Sequence, residues 1–248
     1  MIDSVVVQGN KVDLDMARRI AAGFETEVTN VMPENKDAVF FLIDKTGVSF
    51  VAAGQVLKGD FSRMLPRVTG GHLQHEILLK AAKLEAGAND DALRAVDATA
   101  GLGEDSFILA AGGFSVEMCE HNPVTAVLLR DALIRGKRDP KLKEIISRMS
   151  LRQCDSKEYF TELNYTPDLI YLDPMFPEKK KSAETKKKLQ VLHRIELPCS
   201  DENELLKAAM DTHPRKIVIK RPPDGEYLGG VKPSYSVTRK AVRFDCIT

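Results

Sequence analysis

The densest chemistry in this 248-residue chain lies in Asp168-Leu169-Ile170-Tyr171-Leu172-Asp173-Pro174-Met175-Phe176-Pro177. An apolar run ends in an acid, and two prolines then frame an aromatic ring. Proline lacks an N–H and fixes its own φ, so this segment must be a stiff, non-helical loop. Such a loop can offer the Asp173 carboxylate and the Pro174 carbonyl as acceptors to a planar NH2 group, while Phe176 stacks on the ring that bears it. Further upstream, Gly101-Leu102-Gly103 follows one apolar run and opens another. Glycines there allow close backbone approach, and a helix starting at that point offers unpaired N–H donors. A Gly-x-Gly turn also serves simply to pack a helix on a strand, so the pair is informative only with its neighbours. Glu120 closes a second strand-like run, where a carboxylate can accept both ribose hydroxyls of an adenosine-containing ligand. Asp155-Ser156 closes a third, where acceptors could meet the adenine amino group.

Several chemistries are excluded or disfavoured. No Gly-x-x-x-x-Gly-Lys-Ser/Thr stretch exists, which removes a P-loop nucleotidase. A dinucleotide fingerprint wants a third glycine near Ser106, and a serine stands there. Cys119, Cys154, Cys199 and Cys246 lie far apart without a Cys-x-x-Cys pair, against a zinc ribbon or disulfide scaffold and in keeping with a reducing compartment. His72 and His75 lie three apart without a third ligand nearby, so a structural or partner-facing role is expected rather than metal. The N-terminus lacks a signal-peptide pattern, and the longest clear apolar run, 38–43, is too short to cross a bilayer. A cytosolic globular protein is expected.

The elements that must position these residues can be read from periodicity. From about residue 92 the chain alternates strand, turn and helix. Strands are expected at 93–98, 115–119, 149–154, 168–172 and 216–220, with a terminal pair at 235–239 and 241–247. Helices are expected over 106–111 and from Pro123 to about 134. Alternation of this kind implies a parallel sheet covered on both faces, with ligands at the carboxyl ends of its strands. The last two strands have about one residue between them and must form an antiparallel hairpin. Before residue 65 the pattern is a smaller α+β unit: a strand at 5–7, a helix over 14–24, and a hairpin of 39–43 with 48–53 about Asp44-Lys45-Thr46-Gly47. A lead-in helix is expected over about 72–86. The expected division is therefore 1–64 and 65–248.

Lys+Arg and Asp+Glu both number 36, so formal charge is zero. The distribution is uneven. Residues 178–188 hold six lysines and two glutamates, and 212–248 hold eight basic and three acidic residues. That asymmetry points the C-terminal half at an anionic partner, although lysine runs also solvate loops.

Asp97-Ala98-Thr99-Ala100-Gly101-Leu102-Gly103, Glu120 with Asn122-Pro123, the Asp-Pro-Met-Phe-Pro run with Lys181-Ser182-Ala183, Lys220-Arg221-Pro222 and Arg243-Phe244-Asp245 together resemble a known family. They resemble class I S-adenosylmethionine-dependent methyltransferases that act on exocyclic or amide nitrogens, most of all the bacterial small-subunit ribosomal RNA guanine-N2 methyltransferases. The resemblance spans about 65–248. It implies a Rossmann-like, mostly parallel seven-stranded sheet with an antiparallel C-terminal hairpin, beside the small N-terminal α+β unit. S-adenosylmethionine contacts would fall on Asp97, Gly101, Gly103, Glu104, Asp105, Glu120, His121, Asp155, Ser156 and Asp173. The sequence departs from the family pattern at Glu104 and His121, where a basic residue is usual, and at Asp155, where serine is usual.

The expected reaction is methyl transfer to the N2 amine of a guanine in 16S ribosomal RNA or the small subunit. Asp173, Pro174 and Phe176 would hold the splayed base, and Lys179, Lys180, Lys181, Lys186, Lys187, Lys188, Lys220 and Arg221 the flanking phosphates. Adenine N6 or a protein glutamine amide would suit the same loop. A nicotinamide-dependent oxidoreductase or a non-catalytic RNA-binding module fits less well.

Overall fold

The computed structural model describes residues 1–9, 12–84, 93–174 and 202–248. Two sheets are present. The smaller contains β1 (Ser4–Val7), β2 (Val28–Thr29), β3 (Val39–Asp44), β4 (Gly47–Ala52) and β5 (Gln55–Leu57), in the order β2-β1-β3-β4-β5. β1 runs parallel to both β2 and β3, while β3, β4 and β5 are antiparallel neighbours. The turn at the β3–β4 hairpin is tied by Asp44, whose carboxylate accepts from the Thr46 amide at 2.7 Å. This is the local Asx bond that favours Asp at a turn.

Helix α1 (Leu14–Gly23) is capped by Asp13 and buries Ala17, Ile20 and Ala21 against the inner face of this sheet. The remaining helices are α2 (Leu65–Val68), α3 (Ile77–Ala82), α4 (Glu104–Ala111), α5 (Pro123–Arg138), α6 (Lys143–Ile146), α7 (Ser156–Glu162) and α8 (Glu202–Asp211).

The larger sheet contains β6 (Arg94–Asp97), β7 (Ser115–Cys119), β8 (Met149–Arg152), β9 (Leu169–Leu172), β10 (Lys216–Arg221), β11 (Tyr235–Arg239) and β12 (Val242–Ile247). Its order is β11-β12-β10-β9-β6-β7-β8. The five strands from β10 to β8 are parallel, and β12 enters antiparallel between β10 and β11. The C-terminal hairpin is thus folded in, with its first strand at the sheet edge.

Side-chain alternation assigns the two faces. Ala95, Leu169, Tyr171 and Val218 face the core formed with α3, α4 and α6, and Val96, Ile170, Leu172, Ile217 and Ile219 face the core formed with α7 and α8. The chain builds outward from β6 to β7 and β8, then returns to place β9 on the other side of β6. This reversal opens a crevice at the carboxyl ends of β6 and β9.

Three sequence expectations are corrected in detail. The lead-in helix is interrupted: a 3-10 turn at Leu73–His75 meets α3 across Glu76, whose backbone is extended (φ −67°, ψ 119°). Arg67 grips the Glu76 carboxylate with two bonds of 2.8 and 2.7 Å, and Arg239 donates to the His75 carbonyl, so this corner is held by tertiary contacts. α4 begins two residues earlier than periodicity suggested, directly after Gly103. The helix α7 follows Asp155, where the sequence reading placed only a strand end. A 3-10 turn at Phe61–Met64 runs directly into α2. The small sheet also shares its core with Val124 and Leu128 of α5.

Candidate active site

Gly101 and Gly103 adopt left-handed backbone (φ 55° and 77°), which bends the chain sharply between β6 and α4. A Cβ on Gly103 would meet Leu129 Cδ1 at 2.8 Å, whereas the corresponding space at Gly101 is open to 4 Å. Gly103 is therefore needed for packing and Gly101 for approach. The first turn of α4 has no side-chain cap, which leaves backbone donors for a ligand.

The Glu120 carboxylate braces the bend. It accepts from the Gly101 amide at 2.8 Å and from the Asn122 amide at 2.7 Å, and the residue is 8% exposed. Each carboxylate oxygen has two lone pairs, so acceptance of ribose hydroxyls is compatible with both bonds. Asn122 caps α5 by accepting from Val124 and Thr125, and Pro123 fills its first turn. Exposed His121 sits between acid and cap, and Glu104 is likewise exposed on the first turn of α4. Asp155 caps α7 by accepting from the Lys157 amide at 2.8 Å, with Ser156 buried behind it.

The Asp-Pro loop begins beside the glycine bend. The Ala98 amide donates to the Tyr171 carbonyl at 3.0 Å, and the Asp173 amide donates to the Thr99 hydroxyl at 2.6 Å. Asp97 lies beneath both, nearly sealed from solvent. It accepts from the Thr99 amide at 3.0 Å and from the Ser106 hydroxyl. Burial pushes its carboxyl up to about 7, helped by the charges of Asp105 and Asp173 and opposed by those two hydrogen bonds. Asp97 thus organises the bend from below.

Strands β9 and β10 and helix α4 bring three more polar groups to this face. Tyr171 donates to Asp105 at 2.6 Å, and the Lys220 ammonium bonds Asp105 at 2.7 Å and Asp173 at 2.8 Å. Burial alone would raise the Asp105 pKa. The charge of Lys220 and the hydrogen bonds from Lys220 and Tyr171 outweigh it and hold this carboxyl below the ordinary range.

The expectation that Lys220 and Arg221 face phosphates meets a different arrangement. Lys220 is engaged by two carboxylates, and Arg221 is buried, donating to the Glu226 carbonyl at 2.7 Å beside Glu202. The physical reason is strand position: β10 is an interior strand, and its end lies level with that of β9 through the Ile219–Leu172 pair. Phe176 and Lys179, Lys180, Lys181, Lys186, Lys187 and Lys188 lie outside the described residues. Thr99, Tyr171 and Ser106 were missed as site residues. No local signal marks them, since each becomes relevant only through its tertiary bond to Asp173, Asp105 or Asp97. Among the described residues, no group of three or more His, Cys, Asp or Glu could hold a metal, and no helix is long and apolar enough to cross a membrane.

A doubly covered sheet with this strand order, a glycine bend and an acid-lined crevice at its reversal point defines a class I methyltransferase scaffold. The family model described as "Putative SAM-dependent methyltransferase" matches residues 36–248, SAM being S-adenosylmethionine. A ribosomal RNA small subunit methyltransferase J from Tolumonas auensis is 43% identical over 169 residues, covering 68% of this chain and 67% of that protein. The protein of that name from Cellvibrio japonicus is 35% identical over 229 residues, covering 86% and 84%. The crystal structure of a SAM-dependent methyltransferase from Neisseria gonorrhoeae superposes with a TM-score of 0.75 at 28% identity, covering 98% of this chain and 95% of that one. The chain belongs to the SAM-dependent methyltransferases, in the family of the small subunit methyltransferase J proteins.

The residues present fit the cofactor. The open space at Gly101, the uncapped start of α4 and the braced Glu120 suit an adenosine and its ribose, and the carboxylates of Asp105 and Asp173 suit a sulfonium.

Proposed function

We propose that this enzyme methylates the exocyclic N2 amine of a guanine in small-subunit ribosomal RNA. The substrate class follows the names of its relatives, and the site chemistry supports an amine acceptor. The observation that carries the reading is the direct bond from the Asp173 amide to Thr99, which seats the Asp-Pro loop beside the glycine bend.

When bound, S-adenosylmethionine supplies an electrophilic methyl on a sulfonium, so transfer forms an N–C bond, returns the S–C electron pair to sulfur and leaves one proton to be lost to water. The protein contributes position and electrostatics. A guanine N2 lone pair is delocalised into the ring and is a poor nucleophile. Asp173 and the Pro174 carbonyl would accept its N–H groups and favour a more pyramidal nitrogen. The guanine must leave its stack to reach the loop. Gly101, Gly103, Glu104, Asp105, Glu120, His121, Asp155 and Ser156 would hold the cofactor, with Asp97 supporting them.

The test is transfer of labelled methyl from S-adenosylmethionine to small subunits, naked ribosomal RNA, DNA and protein, followed by mass mapping of the product. Label in N2-methylguanine of the ribosomal RNA is expected. Label in adenine or in a glutamine amide would replace this reading.

A further inference from the structure

Lys220 is an interior lysine whose ammonium is shared by two carboxylates. Its side chain is 33% exposed, against 19% for Asp105 and 35% for Asp173, so the triad lies at the crevice wall rather than in bulk water. Two carboxylates against one ammonium give a locally negative sum, a poor place to attract phosphate. The same ammonium is well placed to fix Asp173.

The Asp173 backbone is held by Thr99 and one carboxylate oxygen is held by Lys220 at 2.8 Å, so both ends of a short side chain are anchored. Among the described residues, the neighbours come from several elements. β6 contributes Asp97, α4 contributes Asp105, β9 and its loop contribute Tyr171 and Asp173, and Arg67 of α2 adds a more distant positive charge on Asp105. Among the described residues, the carboxylates of Asp105 and Asp173 thus share the Lys220 cation, with Asp97 nearby. Without that cation they repel one another, and the cluster takes up protons at higher pH. A protonated Asp173 would hold an O–H donor where the amine requires an acceptor.

We propose that Lys220 is a positioning residue for methyl transfer: by bridging Asp105 and Asp173 it keeps the Asp173 carboxylate ionised and oriented toward the substrate amine. This rests on the reading of Asp173 given above. Lys220 acts through Asp173 and needs no contact with substrate.

The experiment compares Lys220→Met, Lys220→Arg and Asp173→Asn in steady-state methylation of small-subunit RNA from pH 5.5 to 9. For Lys220→Met, kcat should fall about 100-fold at neutral pH with RNA KM within about threefold. Its acid limb should move up by about one pH unit or more. Lys220→Arg keeps the charge and should restore the wild-type limb and most of kcat. Should the Met variant not fold, Lys220→Gln keeps a donor without charge and should show the same shifted limb. A wild-type acid limb in the uncharged variant overturns the proposal. So does a raised RNA KM with unchanged kcat, which would make Lys220 a phosphate contact, or equal loss in the Arg and Met variants without a pH shift. Full turnover by Asp173→Asn would instead remove the Asp173 reading itself. An inactive Asp173→Asn beside wild-type Lys220 variants would sink only the role of Lys220.

Discussion

Asp97 braces the glycine bend through its bonds to Thr99 and Ser106. Its carboxyl is buried and pushed up to about 7, so the folded protein retains a proton that the unfolded chain releases above about pH 4. The sign follows from proton linkage. Stability attributable to this group is full below about pH 4, declines as pH rises toward 7, and is level above that. Asp105 has the opposite sign, because its folded pKa is lowered and its contribution is lost only at the acid end. We therefore predict that urea stability of the wild type falls by about 3 kcal/mol from pH 5 to pH 8 on account of Asp97, at about 1.4 kcal/mol per pKa unit. Asp97→Asn, which is neutral throughout and can still accept from Thr99, should remove that slope. An unchanged slope in the variant would show that Asp97 is not the titrating group. The residue scale was also the hardest to read in advance. Asp173 and Glu120 were visible because acids at strand ends are unusual in pattern. Thr99 and Tyr171 look like ordinary turn and core residues until the bonds to Asp173 and Asp105 are seen.

The two glycines of the bend serve different elements, and substitution should separate them. Gly103 lies at the start of α4 against Leu129 and Phe61, so an added methyl combines positive-φ strain with a clash. Gly103→Ala should lose about 2–4 kcal/mol in urea unfolding. Gly101→Ala has the strain but open space, and should lose only about 1 kcal/mol while S-adenosylmethionine affinity, measured by calorimetry, falls at least tenfold. Equal stability losses in the two variants would contradict the division of roles. Elsewhere, tertiary anchors decide where elements lie. Glu117 of β7 accepts from Tyr159 and Tyr165, the latter at 2.6 Å, and pairs with Arg94 at 3.2 Å, which fixes α7 and its following loop to the sheet. Burial and these bonds to a carboxylate push the Tyr159 phenol up to about 12. Periodicity located most strands of the larger sheet to within two residues, since alternating apolar runs leave few choices. It missed α2, α6, α7, β2 and β5, which are short, and also α8.

At the scale of the whole molecule, a chain with 36 basic and 36 acidic residues must attract RNA through local charge rather than net charge. We predict that RNA affinity falls at least tenfold between about 50 and 200 mM salt, and that replacing the six lysines of 179–188 with Gln flattens that dependence. A flat wild-type response would place the RNA contacts elsewhere. The small sheet bears on the same architecture, because α5 buries one stripe against it and another against the larger sheet. The sequence by itself determined the strand–helix alternation, the glycine bend, the rigid acidic loop and the resemblance that named the chemistry. These are local properties: period, backbone freedom and missing donors are written in adjacent residues. Strand order was decided only in three dimensions. It made β10 the neighbour of β9 and so set Lys220 against Asp105 and Asp173. Pairing between distant strands depends on how all the apolar faces are buried at once, and no single segment carries that information.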